Sequence, residues 1–322
     1  MKILERCARC GKCLPACPSF QATLRESFSP RGRVALAREG LSASRTFSHC
    51  LLCGACEAVC PNELPLLEIF AQARSKTPNL LRPLYPALLK GLQLVSPRSL
   101  PGKGETILFL GCGGGLLYSR ELAHFLRLFE ALVGEISLLE GICCGLPYLA
   151  AGDQENFLKG ARRIVALLEG KKTLLTLCAS CLYTFRRFYP AFLKEGGLAS
   201  RFEDALAYLL RRGADLFLPQ RVFFQVPCHL RHLETEAWWR EQKGLVFHEG
   251  CCGQAGMFGF RYPEEASLIA KPLKKAIFSS GASILTSSCT SCLLYLKKTF
   301  PRLDVCHVVS FLAKRPPGKN AP

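Results

Sequence analysis

Two runs of four cysteines near the start of the chain, each spaced C-x2-C-x2-C-x3-C-P, and two later copies of a five-cysteine pattern behind strand-like stretches predict an α+β multidomain protein. The expected architecture is a helical N-terminal domain built on the two runs, followed by two duplicated α/β cysteine-rich domains. A chain of 322 residues, 49% hydrophobic and 21% charged, can bury a core across two or three domains. Nineteen cysteines imply disulfides, thiolate metal sites or catalytic thiols. Charge and Cys7 arrive before any apolar signal region could form, so the reading is a cytoplasmic chain whose thiols serve metals rather than disulfides.

The first run is Cys7, Cys10, Cys13 and Cys17, followed by Pro18. The second is Cys50, Cys53, Cys56 and Cys60, followed by Pro61. Three thiolates at two-residue intervals wrap one face of a cubane, and the fourth, after a longer step, reaches the other cluster. One [4Fe-4S] cluster is thus expected on Cys7, Cys10, Cys13 and Cys60, and the other on Cys50, Cys53, Cys56 and Cys17. Full thiolate ligation leaves no open iron, so these clusters pass single electrons and no catalytic residue is assigned. Zinc ribbons use C-x2-C pairs too, but not runs of four ending in Cys-Pro. Between the runs only Arg33–Arg38 has a regular pattern, and it is helix-like, which makes residues 1–80 a helical 2[4Fe-4S] ferredoxin domain. Ser29-Pro30-Arg31-Gly32-Arg33 puts proline and positive charge at that helix start, to cap it or to face a cluster. His49, beside Cys50, is read as a solvated loop residue, with tuning of the second cluster as the alternative.

Prolines at 78, 83, 86, 97 and 101 mark a boundary, and residues 81–104 are assigned to a linker. Within it, Leu84–Val95 has the pattern of a short amphipathic helix that packs on its own protein or on a membrane surface. No stretch reaches the 18 or so apolar residues that a spanning helix needs.

From residue 105 onward every cysteine group trails a predicted strand. Thr106–Gly111 leads into Cys112, Glu135–Leu139 into Cys143-Cys144-Gly145, and Thr173–Leu177 into Cys178 and Cys181, with a helix over Gln154–Leu168. The order recurs as Arg221–Val226 into Cys228, Leu245–His248 into Cys251-Cys252-Gly253, and Ser283–Thr286 into Cys289 and Cys292. Two cysteine-rich domains over 105–215 and 216–315 follow, with a frayed tail over 316–322. In open α/β sheets ligands bind beyond the carboxyl ends of the strands, so these ten cysteines are candidates for further iron-sulfur clusters. Paired C-x2-C zinc or redox-active dithiol sites are the alternative. Adjacent cysteines make poor disulfides but can hold neighbouring irons, and Gly145 and Gly253 let the backbone turn close to metal. Gly111–Gly115 lacks the spacing of a dinucleotide loop. His229 and His232 flank Cys228, able to donate to a sulfur, carry a proton, bind an anionic acceptor or simply pack. Cys306, the odd cysteine, is read as buried core before a C-terminal helix over Val308–Leu312.

A net charge of +17 and a pI near 9.3 suit nucleic acid, an anionic membrane face or an acidic partner. The basic residues are dispersed and no nucleic-acid motif accompanies them, so no nucleic-acid partner is expected.

Taken together, the two Cys-Pro runs, the Ser29–Arg33 segment and the repeats around Cys143-Cys144-Gly145 and Cys251-Cys252-Gly253 resemble a known group over nearly the whole chain. It comprises the iron-sulfur subunits of glycolate oxidase, lactate-utilisation and anaerobic glycerol-3-phosphate dehydrogenase complexes, with the heterodisulfide reductases. Pro227–His232 and Gln254–Gly259 also resemble this group. The second repeat departs in having 22 residues between Cys228 and Cys251 against 30 between Cys112 and Cys143, a tighter crossover. The resemblance implies an electron relay from an FAD-binding dehydrogenase subunit, which oxidises a 2-hydroxy acid or glycerol 3-phosphate, toward quinone or a membrane-associated acceptor. Such a chain is cytoplasmic or peripheral on the inner face of the membrane. The alternative it implies is an enzyme that reduces a disulfide or quinone at clusters in the repeats.

Overall fold

A helix begins where its first N–H groups find acceptors. Ser29 supplies one for helix Pro30–Arg38, accepting from Gly32 N at 2.9 Å, and Pro30 occupies the first turn, where a missing N–H costs nothing. Gly32 is obligatory there, because a Cβ would run into the Glu26 carbonyl. The computed structural model describes residues 2–41, 45–77, 99–100, 104–111, 119–219, 221–233 and 237–314. Helices Lys2–Glu5, Cys13–Ala16, Pro18–Thr23, Ala55–Ala58 and Leu66–Ser75 complete a helical N-terminal part. The last of these buries Leu66, Leu67, Phe70 and Ala71, and Arg74 with them.

Strands of a parallel sheet covered on both faces are apolar throughout. The first sheet contains Ser99–Leu100 (β1), Thr106–Gly111 (β2), Ser137–Glu140 (β3), Thr173–Thr176 (β4) and Phe202–Asp204 (β5), in the order β1-β3-β2-β4-β5. Only the β1–β3 pair is antiparallel. β2 shows the double cover plainly, with Ile107 to Leu110 all buried. After Ala214–Leu216 (β6), the second sheet contains Val222–Gln225 (β7), Leu245–His248 (β8), Ile284–Ser287 (β9) and Asp304–His307 (β10), ordered β10-β9-β7-β8 and parallel throughout. β2, β3, β4, β5 and β7, β8, β9, β10 wind alike: the first strand lies inside, the second on one flank, the third on the other and the fourth beyond it.

The two crossovers differ as their lengths require. Helix Ser119–Leu132 lies between β2 and β3. Between β7 and β8 the described residues hold only helix Cys228–Arg231 and a 3-10 turn at Trp238–Arg240. Trp238 and Trp239 fill the space a longer helix would take, packing on Phe224 with ring centroids 5.0 and 6.4 Å away.

Three expectations need correction or qualification. The span 81–104 contains β1, whose two residues are too few to show a period. Val308–Phe311 is a 3-10 turn rather than a helix, and Leu312–Lys314 (β11) pairs antiparallel with β6. That pairing satisfies backbone groups which so short a helix would leave open. Residues 84–95 and Cys112 lie outside the described residues.

One apolar core runs from Phe47 and Phe70 through Phe109 and Leu174 to Phe224 and Leu285. A smaller group around Leu51, Ala55, Phe258 and Ile269 seals the N-terminal helices against the second cysteine-rich half. Arg74 Nη1 donates to Ala150 O at 3.0 Å, Arg187 pairs with Glu57 at 2.7 Å, and Ala179 N donates to Ser288 O at 2.8 Å. Among the described residues no helix is long and apolar enough to cross a membrane.

Candidate metal centre

The two cysteine runs fold alike. The residue before the second cysteine of each, Arg9 (φ 55°) and Leu52 (φ 54°), is left-handed, and Leu52 N donates to Cys50 Sγ at 3.4 Å. This turn folds the C-x2-C loop over its own sulfurs. The proline after each run then redirects the chain, and Cys17 stands as N-cap of helix Pro18–Thr23. As a result Cys7, Cys10, Cys13 and Cys60 line one pocket, while Cys17, Cys50, Cys53 and Cys56 line another. Each pocket takes three thiols from one run and the fourth from the other.

Their surroundings differ. In the first pocket Cys10 is exposed and its three companions are half-buried; in the second all four cysteines are buried. Burial pushes the Cys13 thiol up to about 11, and lifts Cys53 and Cys56 further, with neighbouring sulfurs adding to the effect. Four thiolates cannot gather in so low a dielectric unless a polycation sits among them, so the donor set fits an iron-sulfur cluster. No three Cys, His, Asp or Glu side chains among the described residues converge as a single metal ion would need. A cubane's ligands stand apart, each on its own iron.

Both readings of Ser29–Arg33 hold. Ser29 caps the helix, Pro30 and Arg31 line the first pocket, and Arg33 lines the second. Arg33 is 1% exposed, with Nη1 4.0 Å from Cys17 Sγ, Nη2 3.1 Å from Ser19 Oγ and Nε 3.3 Å from Thr46 O. Arg74, which sequence reasoning missed, donates to the carbonyls of Phe47, Cys50 and Ala150. Burial lowers its pKa to about 10, and it stays charged at neutral pH. His49 is not a solvated loop residue. It is wedged between Phe28 and Tyr262 with centroids 4.2 and 4.0 Å away, and burial depresses its pKa despite Glu265 at 3.6 Å.

Every described cysteine group of the second half follows the carboxyl end of a parallel strand. The glycines after the vicinal pairs do the same work in both copies. Gly145 N donates to Cys143 Sγ and Gly253 N to Cys251 Sγ, each at 3.4 Å. Their φ values of 91° and 72° permit this turn, and what crowds them is protein: the Phe157 ring and the Ala266 backbone. Thiols from the two copies then meet. Cys144 contacts Cys181, Cys178 contacts Cys181 and Cys289, and Cys252 Sγ lies 3.1 Å from Cys292 Sγ. Cys228 contacts Cys251, and both line an open pocket together with Cys53. Ser288, immediately before Cys289, is 1% exposed with its hydroxyl unpartnered, which fits a bound group beside it.

His229 is buried and burial depresses its pKa; Nε2 lies 3.2 Å from Leu52 O and Nδ1 2.9 Å from Ser180 Oγ. His232 is part-buried, with Nε2 accepting from Arg231 at 3.2 Å; desolvation and that guanidinium lower its pKa to about 4. Cys306 is half-buried on β10 rather than in the core, its thiol raised by burial to about 11. His307 is a packed structural residue, with Nε2 donating to Leu177 O at 2.9 Å and Nδ1 accepting from Val309 N at 3.1 Å.

This helical part with its paired four-cysteine pockets, joined to two like-wound cysteine-rich sheets, defines an iron-sulfur electron-transfer protein. A family model of the 4Fe-4S dicluster domain matches residues 3–64, and one of the cysteine-rich domain matches twice, over 106–186 and 222–297. The chain belongs to the iron-sulfur proteins that join a 4Fe-4S dicluster domain to paired cysteine-rich domains, and [4Fe-4S] clusters are its cofactors. It is similar to the probable glycolate oxidase iron-sulfur subunit of Bacillus subtilis, at 25% identity over 91% of this chain and 88% of the relative. A subunit of the fumarate reductase (CoM/CoB) of Methanothermobacter marburgensis is 23% identical over 94% of this chain and 69% of its own. A subunit of the dihydromethanophenazine:CoB–CoM heterodisulfide reductase of Methanosarcina mazei is 24% identical over 90% and 87%.

Proposed function

We propose that this chain is the electron-transfer subunit of a flavin-linked dehydrogenase complex, receiving electrons from an FAD-binding partner and passing them toward quinone or another acceptor. The observation that carries this reading is the pair of pockets, each lined by four cysteines with no ligand position left over for substrate. When bound, [4Fe-4S] clusters supply one-electron transfer there. Cys7, Cys10, Cys13 and Cys60 would hold the first and Cys17, Cys50, Cys53 and Cys56 the second. The likeness to a glycolate oxidase subunit supports oxidation of a 2-hydroxy acid on the partner chain. We place the dicluster domain at 1–80 and the cysteine-rich domains at 105–215 and 216–315, products of one duplication, in a cytoplasmic chain able to sit on the inner membrane face.

The chain's own residues give the relay a direction. The first pocket is nearer solvent and suits electron entry. Arg33 and Arg74 put two buried guanidinium groups around the second, and buried positive charge favours the reduced, more negative state. Arg33→Met is expected to lower the potential of the second cluster by about 60 mV or more, a tenfold change for one electron, and to leave the first in place. EPR-monitored potentiometry on the purified protein measures it; an unchanged pair of couples would remove Arg33 from the relay.

A second reading has its own support. The large pocket that joins Cys53 to Cys228 and Cys251 could admit a disulfide or quinone, as in the heterodisulfide reductase-like alternative, with clusters held by Cys112, Cys143, Cys144, Cys178, Cys181, Cys228, Cys251, Cys252, Cys289 and Cys292. Iron and acid-labile sulfide per chain separate the readings. About eight irons, with reduction by a flavoprotein dehydrogenase, supports the relay, whereas about twelve to sixteen moves the chemistry onto this chain. Stoichiometric zinc with little iron defeats both.

A further inference from the structure

The charge of this protein is not evenly spread. Between Ala266 and Leu303 the chain carries Lys271, Lys274, Lys275, Lys297, Lys298 and Arg302 and no acidic residue, in a sequence with 25 acidic residues. The acids that bound the stretch are Glu265, 3.6 Å from His49, and Asp304 on β10. Two helices display it beside the second sheet. Helix Lys271–Ser280 packs on β7 and β8 and buries Leu273 and Ile277, which turns Lys271, Lys275 and Phe278 outward. Helix Thr290–Thr299 buries Cys292, Leu293 and Leu296 and leaves Leu294, Lys297 and Lys298 exposed. The Phe278 ring meets Phe300, the C-cap of that helix, with centroids 5.5 Å apart, so the two helices are neighbours. Phe278 is nevertheless 75% exposed, and Leu268, on the preceding helix Pro263–Ile269, is exposed as well.

Single apolar side chains standing among lysines suit a lipid boundary. The ring and the aliphatic tips enter the headgroup region, and the ammonium groups pair with anionic lipid. A protein partner fits less well, because lysine is depleted from protein interfaces, whose cores are contiguous apolar area. We propose that this face, centred on Lys271, Lys275 and Phe278, seats the protein on an anionic lipid surface.

Seated this way, the protein presents a pocket to the bilayer. Leu268 and Pro272, both exposed, also line the open pocket that reaches Cys53, Cys228 and Cys251. The pocket mouth is thereby carried to the lipid boundary, where a membrane quinone is dissolved. This last step rests on the reading that electrons leave the chain toward quinone; the lipid surface does not, and vesicles without quinone test it alone.

The measurement is co-sedimentation of the cluster-loaded full chain with vesicles of phosphatidylcholine alone and of phosphatidylcholine with about one-third phosphatidylglycerol. The protein should sediment with the anionic vesicles only, and high salt should release it. Lys271→Glu combined with Lys275→Glu is expected to weaken that binding about thirtyfold or more, and Phe278→Ser about tenfold. Arg162→Glu combined with Arg163→Glu makes the same charge change at exposed positions of the first cysteine-rich half and should cost no more than about threefold. Iron content equal to the parent's shows that each variant is folded. Equal losses in the two charge variants would make binding a property of net charge and overturn the surface, as would unchanged binding after reversal at Lys271 and Lys275. A parent that ignores anionic vesicles, with the reversal costing association with an acidic flavoprotein instead, would overturn the lipid assignment and give the face to a protein. Binding without reduction of quinone placed in the vesicles keeps the lipid surface and removes quinone as the acceptor.

Discussion

Cys60→Ala should abolish the first cluster, not the second, although Cys60 belongs to the second run. The thiol lines the pocket of Cys7, Cys10 and Cys13, and removing it leaves that site one ligand short. Cys17→Ala should do the converse and empty the site of Cys50, Cys53 and Cys56. Each variant is expected to lose about four of about eight irons per chain. The pairing of phenotypes distinguishes crossed from uncrossed ligation. The EPR spectrum of Cys60→Ala should match that of Cys7→Ala, and that of Cys17→Ala should match Cys50→Ala. Matching within each run instead would show that the runs act separately and that the shared pockets mislead.

The second large effect is expected at Arg74. Its guanidinium satisfies the carbonyls of Phe47, Cys50 and Ala150, so it ties the loop before the second run, the run itself and the first cysteine-rich half together. Arg74→Ala removes the donor to the Cys50 carbonyl, takes one of two donors from the carbonyls of Phe47 and Ala150, which keep Cys50 N and Arg261 Nη1, and opens a cavity between Phe47 and Ala150. At about 1–3 kcal/mol for the unsatisfied Cys50 carbonyl, with the lost packing of a buried side chain added, the loss should be about 3 kcal/mol. Arg74→Lys should recover only part of it, because a point charge cannot fork to three carbonyls. Anaerobic denaturant titration of the cluster-loaded protein measures both. A loss under about 1 kcal/mol for the alanine variant would mean that other contacts hold the junction.

The signal for Arg74 was present in the sequence, since Leu66, Phe70 and Arg74 fall on one helical face at four-residue intervals and the third is charged. A lone arginine on an apolar stripe is nevertheless indistinguishable from one that snorkels to solvent. His49 misled for a related reason. Its place between Ser48 and the cysteine run gives no sign of a packing partner, and the rings that enclose it, Phe28 and Tyr262, come from elsewhere in the chain. The strands β1 and β11 were invisible because two or three residues carry no period, and their pairing partners alone make them strands.

Cysteine spacing and strand order by themselves determined what this protein holds and roughly how it is built. Ligands two and three residues apart are positioned by one turn of backbone, and an apolar run ending in cysteine carries its own local signal, so both are properties of short sequence. Only the tertiary structure decided which groups meet across the chain: Arg74 with Ala150, Ser180 with Cys289 and His229 with Leu52, separated by 76, 109 and 177 residues. The physical reason is that a hydrogen bond between such groups depends on how whole sheets and helices pack, and packing distributes its information over the core rather than writing it beside the residues that use it.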